Sequence, residues 1–138
     1  MSKIRTIIDN DSRLNLVVDH FIKHYEERVK EGSTVKGKAM FVCYDRNIAY
    51  KVYKKIIARR PEWNVQKKTQ EDESKLTYSQ LNRLKPIEMV KLVATRGAND
   101  EPTLYNLLGS DKYRAGLATL FKDENSNFKI AIVVDMWL

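Results

Sequence analysis

The chain has 138 residues, of which 43% are apolar and 31% charged, with few Gly and Pro. This is the length and composition of one compact globular domain, large enough to bury a core without disulfides or a structural metal. A net charge of +7 and a pI near 9.5 favour a polyanionic partner, and the single Cys43 excludes an internal disulfide and fits a reducing compartment. No apolar run approaches the roughly 18 residues of a membrane span. Met1 to Arg5 does not begin a secretory signal. No repeat, low-complexity stretch or linker divides the chain, so residues 1–138 are expected to form one domain.

Ile4, Ile7 and Ile8 form a short lead-in, and Asn10, Asp11 and Ser12 offer helix N-caps. Leu14, Val17, Val18, Phe21, Ile22, Tyr25 and Val29 recur at helical spacing, and Gly32 is a plausible stop. Ala39 to Tyr44 is an apolar run expected as a strand buried on both faces. Asp45 caps a second helix with Ile48, Ala49, Val52, Ile56 and Ile57 inward, closed by Arg59-Arg60-Pro61. Residues 62–86 are the least regular, with a short helix predicted over Leu76–Leu84. Val90–Thr95 is a second strand, and Arg96–Asp100 a loop. Asp111 opens a helix that places Tyr113, Leu117, Leu120 and Phe121 on one face. After a turn at Asp123–Asn127, Phe128–Asp135 is the third and most apolar strand. Helix and strand alternate throughout, which predicts an α/β fold with a parallel sheet and right-handed crossovers. The chain stops at Met136-Trp137-Leu138, at the end of that strand. Parallel sheets place ligands at that end, so the sequence is expected to be a piece of a longer protein.

Four candidate chemistries are set aside. Gly32–Ala39 nearly matches a phosphate-binding loop, but Ala39 replaces the hydroxyl and the segment precedes a strand instead of a helix. Glu73-Ser74-Lys75 has the E-x-K spacing of metal-dependent nucleases, without an apolar strand to hold it. His20 and His24 have zinc-compatible spacing, but no further ligand is arranged with them. Cys43, within a strand, reads as a packed thiol, and Trp63 and Trp137 as packing residues. No catalytic or metal-binding residue is assigned. The basic window Lys51, Lys54, Lys55, Arg59, Arg60, Lys67 and Lys68 is either a solvated face or a phosphate-facing flank.

The strand ends are more informative. Tyr44-Asp45-Arg46-Asn47, Thr95-Arg96-Gly97 and Asp135 follow the three strands and should emerge on one rim of a parallel sheet. Arg46 would stand at a helix N-terminus, where backbone N–H groups favour phosphate. Thr95 and Arg96 add a hydroxyl and a charge.

Three stretches together resemble the second RecA-like motor domain of superfamily 2 helicases, and more narrowly the R subunit of type I restriction enzymes. The first is Gly37–Cys43 with Arg46, Ile48, Ala49, Tyr53 and Arg60-Pro61-Glu62-Trp63, similar to motif IV and its helix. The second is Val90–Thr95 with Ala98 and Asp100-Glu101-Pro102. The third is Arg114, Leu117 and Phe121-Lys122-Asp123, then Phe128–Leu138, which in the family continues into T-G-F-D to complete motif V. His24 and Arg28 fit the family's lead-in. The likeness spans nearly the whole chain and is weakest over Val65–Ile87.

The resemblance implies part of a three-layer RecA-like domain, truncated at its last strand. It implies a segment of an ATP-dependent, DNA-translocating motor within a prokaryotic, cytoplasmic restriction endonuclease. Tyr44, Asp45 and Arg46 would approach the DNA backbone, Thr95, Arg96, Gly97 and Ala98 would form a DNA-side loop, and Val134 and Asp135 would open motif V. ATP and magnesium would serve the intact subunit. The partners would be double-stranded DNA, the first RecA-like domain, and the modification and specificity subunits. First-domain motifs and a motif VI arginine are missing here, so the piece alone is expected to be inactive. The alternative is a stand-alone nucleic-acid-binding α/β module without catalysis; it would bind DNA tightly at low salt with a steep salt slope.

Overall fold

The computed structural model describes residues 11–32 and 37–134. Helix α1 (Asp11–Glu31) leads to β1 (Ala39–Cys43) and α2 (Arg46–Arg59). A 3-10 turn (Pro61–Asn64), a second (Glu73–Lys75) and the short α3 (Tyr78–Arg83) precede β2 (Val90–Val93). Helices α4 (Pro102–Leu108) and α5 (Asp111–Lys122) then lead to β3 (Ile130–Val134). The strands form a parallel sheet in the order β1-β3-β2. The fold is α/β with helices on both faces, as the alternation of elements predicts.

Alternation along each strand sorts the core into two layers. Val90, Leu92, Ile130 and Ile132 face α1, α2 and α4, packing with Leu14, Val18, Val52, Ile56 and Leu108. Val93, Ala131 and Val133 face α5 and pack with Leu117 and Phe128. The central β3 has apolar residues on both faces, since it has neighbours on both edges and both sides.

Several local expectations are corrected. Among the described residues β1 is an edge strand, and it is not buried on both faces: Val42 is 58% exposed. Met40, two residues earlier on the same face, packs against the layer of Leu117 and Phe128, which does not take in Val42. Tyr113 and Val29 are 40% and 43% exposed. α4 was not foreseen, although Pro102 at its first turn and the buried Leu104 and Leu108, four apart, are its signature. It ends at Gly109, whose φ of +72° suits glycine.

The irregular stretch before β2 is pinned by main-chain bonds instead of regular structure. Lys67 and Ile87 exchange two hydrogen bonds of 3.1 Å, Met89 N–H donates to the Trp63 carbonyl at 3.0 Å, and Asn127 N–H donates to the Lys68 carbonyl at 3.1 Å. These satisfy polar backbone that the fold encloses.

Gly116 lies within α5, and a Cβ there would meet no atom within 4 Å. Gly116→Ala is therefore expected to stabilise the fold by about 0.5–1 kcal/mol, through lower entropy of the unfolded chain and better helix propensity. Urea unfolding monitored by circular dichroism checks this; an unchanged or lower midpoint contradicts it.

Candidate nucleic-acid interface at the strand-end rim

The sheet register brings the predicted clusters together. Cys43 pairs with Val134 and Val93 with Val133, so the three strands end within one residue of one another. The loops that follow β1 and β2 therefore leave from one rim, beside Val134. Asp135 lies outside the described residues, as do Trp137, the lead-in isoleucines and Ser33 to Lys36.

After β1, Asp45 is the N-cap of α2, its Oδ1 accepting from Ile48 N–H at 2.8 Å. Tyr44 is 36% exposed. Arg46 opens the helix, whose first turn carries no acid. A cation at this end opposes the helix dipole. Asp100 compensates: its Oδ2 is paired with Arg46 Nη2 and accepts the Gly97 N–H at 2.6 Å. A Cβ on Gly97 would come within 2.9 Å of Arg46 Nη1, so glycine lets this loop lie against the guanidinium. Arg46 Nε is buried and has no hydrogen-bond partner.

After β2, Thr95 and Ala98 are exposed. Arg96 turns toward α4: its Nε donates to the Tyr105 carbonyl at 3.0 Å, and its guanidinium lies 3.9 Å from the Tyr105 ring centre. Arg46, Gly97 and Asp100 thus form one connected unit between two loops, while Arg96 is bound to the neighbouring helix. Asp100 had no separate role in the sequence reading. The available signal was an acid in the loop after β2, on the same rim as Arg46.

The basic window divides. Lys55 pairs with Asp11 at 2.9 Å and donates to Asn15 at 2.8 Å. Arg59 pairs with Asp19, and Arg60 takes both oxygens of Glu26 at 2.9 and 3.1 Å. Three of the seven residues of the window therefore form a clasp between α1 and the end of α2. Lys51, Lys54, Lys67 and Lys68 remain exposed.

The chemistries set aside behave as packing and surface groups. Lys38, of the phosphate-loop-like segment, donates to the Phe128 carbonyl at 2.5 Å. Burial, aided by nearby Lys129, lowers its pKa to about 8. Glu73-Ser74-Lys75 is a surface 3-10 turn capped by Asp72. The His20 and His24 rings stack 6.0 Å apart, and no group of three metal-ligating side chains occurs among the described residues. Cys43 is buried, and burial pushes its thiol up to about 12, an inert state at neutral pH. Trp63 is buried and meets Tyr25 edge-on at 5.7 Å.

A concavity of about 680 Å³ lies against α5 between Lys85, Glu88, Tyr113 and Gly116 and receives no residue from the strand-end loops. Beside it Glu88 and Lys91 form a buried ion pair at 2.8 Å. Burial opposes both charges, but their mutual contact, helped by Gln66 at Glu88 and by Tyr113 at Lys91, prevails: the Glu88 carboxyl is held below its usual range and the Lys91 ammonium above its own.

Fold and site together describe a parallel α/β domain with polar loops gathered on the C-terminal rim of its sheet. The chain is 30% identical over 132 residues to the type I restriction enzyme HindI endonuclease subunit of Haemophilus influenzae. It is 26% identical over 137 residues to a putative type I restriction enzyme MjaIXP endonuclease subunit of Methanocaldococcus jannaschii. These matches cover 96% and 99% of the chain and 11% of each relative. The chain thus spans about a tenth of the length of the curated relatives it matches. No protein-family profile and no solved structure matches it.

Proposed function

We propose that this chain is a segment of the DNA-translocating motor of a type I restriction endonuclease R subunit, with the fold of a second RecA-like domain. The observation that carries the reading is similarity along nearly the whole chain to two such endonuclease subunits. The parallel sheet and the rim of polar loops accord with it. In this reading the rim residues Tyr44, Asp45, Arg46, Thr95, Arg96, Gly97, Ala98, Val134 and Asp135 face duplex DNA. The other partners are the first RecA-like domain and the modification and specificity subunits, in the cytoplasm of a prokaryotic cell. Among the described residues no helix is long and apolar enough to cross a membrane.

ATP and magnesium belong to the intact subunit. The described residues do not by themselves fit them: Lys38 is turned inward onto a carbonyl, and no cluster of acids is placed to hold magnesium. This chain then supplies one wall of a site whose phosphate-binding wall lies elsewhere, because positioning and charge stabilisation come from opposing surfaces.

Two measurements on the 138-residue chain test the reading. Titration calorimetry is expected to show no ATP binding; a micromolar Kd would contradict the one-wall assignment. Duplex affinity across a salt series is expected to be weak, with a shallow slope reflecting few phosphate contacts. Arg46→Ala should weaken it several-fold, and an unchanged affinity would remove Arg46 from the interface. Tight binding with a steep slope would instead favour the stand-alone module.

A further inference from the structure

The geometry points to a phosphodiester-binding site formed by the Arg46 guanidinium and the Gly97 amide, in which the Asp100 carboxylate is a resident anion that a DNA phosphate displaces. The inference rests on the reading that this rim faces DNA, and it adds how the site is held when DNA is absent.

The donors converge. Arg46 Nη2 and the Gly97 N–H both serve the same oxygen, Asp100 Oδ2. A carboxylate and a phosphodiester are alternative oxyanions for such a donor pair. The exposures differ in the direction exchange requires: the Arg46 side chain is 33% exposed and that of Asp100 only 11%. Part of the Arg46 side chain is thus open to solvent, whereas the carboxylate is largely covered. The buried Nε has no acceptor, so the protein satisfies the guanidinium only in part, and an anion would be met by its exposed part and not by Nε. A Cβ on Gly97 would stand 2.9 Å from Arg46 Nη1 and 3.2 Å from Asp100 Oδ1, so a side chain there would push the ends of both groups out of their present contact. The positive end of this helix is already met by the Asp45 carboxylate, which accepts from Ile48 N–H, so the attraction rests on the guanidinium and the Gly97 amide.

Asp100 stabilises the free loops by neutralising Arg46, and the same contact competes with DNA. Removing its charge while keeping its shape should expose the full affinity of the site. Asp100→Asn retains an oxygen for the Gly97 amide, and Asp100→Ser is a second variant with a shorter acceptor.

The test is fluorescence anisotropy of a labelled 20-base-pair duplex, from about 50 to 200 mM salt. Folding of each chain is checked by circular dichroism. Asp100→Asn and Asp100→Ser are expected to bind about 5–10-fold tighter at the low-salt end, with a log–log salt slope steeper by about one phosphate contact. The gain should vanish in Arg46→Ala/Asp100→Asn. Glu71→Gln, the same charge change on an exposed loop residue, should shift affinity less than about twofold. Unchanged or weaker binding by both Asp100 variants overturns the exchange while leaving the rim reading intact. So does a gain that survives loss of Arg46 or is matched by Glu71→Gln. Absence of binding by all of these proteins overturns the rim reading and the exchange together.

Discussion

Phe128→Ala is expected to cost about 3–5 kcal/mol of stability, the usual range for deleting a buried aromatic ring. Phe128 is fully buried just before β3, and its ring meets that of Phe121 at 4.9 Å. It fills the space between the base of the sheet and α5, with Ile87 and Leu117 in the same layer. Because α5 covers this side without help from another described helix, little around the ring can collapse into the space it leaves. The loss is a large part of the roughly 5–15 kcal/mol by which whole domains are stable. Phe128→Leu keeps most of the volume and should cost clearly less. Urea unfolding of both variants checks the pair; a loss under about 1 kcal/mol for alanine would show that α5 is held by other contacts.

Glu88→Ala is expected to cost about 3 kcal/mol, the low end for breaking a buried pair, because it leaves the buried Lys91 cation with Tyr113 but without its carboxylate. Lys91 is 5% exposed and sits within hydrogen-bonding distance of Glu88. The double variant Glu88→Leu/Lys91→Met removes both charges and should lie within about 1–2 kcal/mol of the parent, since well-packed apolar groups replace buried ion pairs at little cost. A double variant as damaged as the single would show that the pair contributes more than mutual neutralisation. The pair also sets a pH window. The Glu88 pKa is depressed in the folded chain, so its contribution is present above the ordinary 4.5 and is lost as pH falls through the lower folded value. The Lys91 pKa is raised, so its contribution is present below the ordinary 10.5 and is lost as pH rises through the higher folded value. Between these limits its contribution is flat, and the double variant should show a weaker dependence at both ends.

Periodicity alone located most elements. The spacing of Leu14, Val18, Ile22 and Tyr25 predicts α1, and all four are buried. Asp45 was readable as the cap of α2 because a carboxylate before an apolar-periodic run has a local role, fulfilled by its bond to Ile48. Nearly level strand ends were also foreseeable, because parallel crossovers return each strand in the same direction. The short α4 was lost between stronger signals, since a seven-residue helix offers barely two turns of pattern.

The order of helices and strands, the parallel α/β class and the polar loops at one rim were legible from the residues alone. These follow from local patterns, which depend on neighbours a few residues apart. The partners of the charges emerge only in the folded chain. Arg46 meets Asp100 across 54 positions, and Arg60 meets Glu26 across 34. The fold also places β1 at an edge among the described residues, with Val42 exposed, although its apolar run looks as buried as that of β3. A strand's burial depends on what the rest of the chain lays over it, and a charge's role depends on which opposite charge the fold carries to it. Both are long-range facts that no local pattern contains.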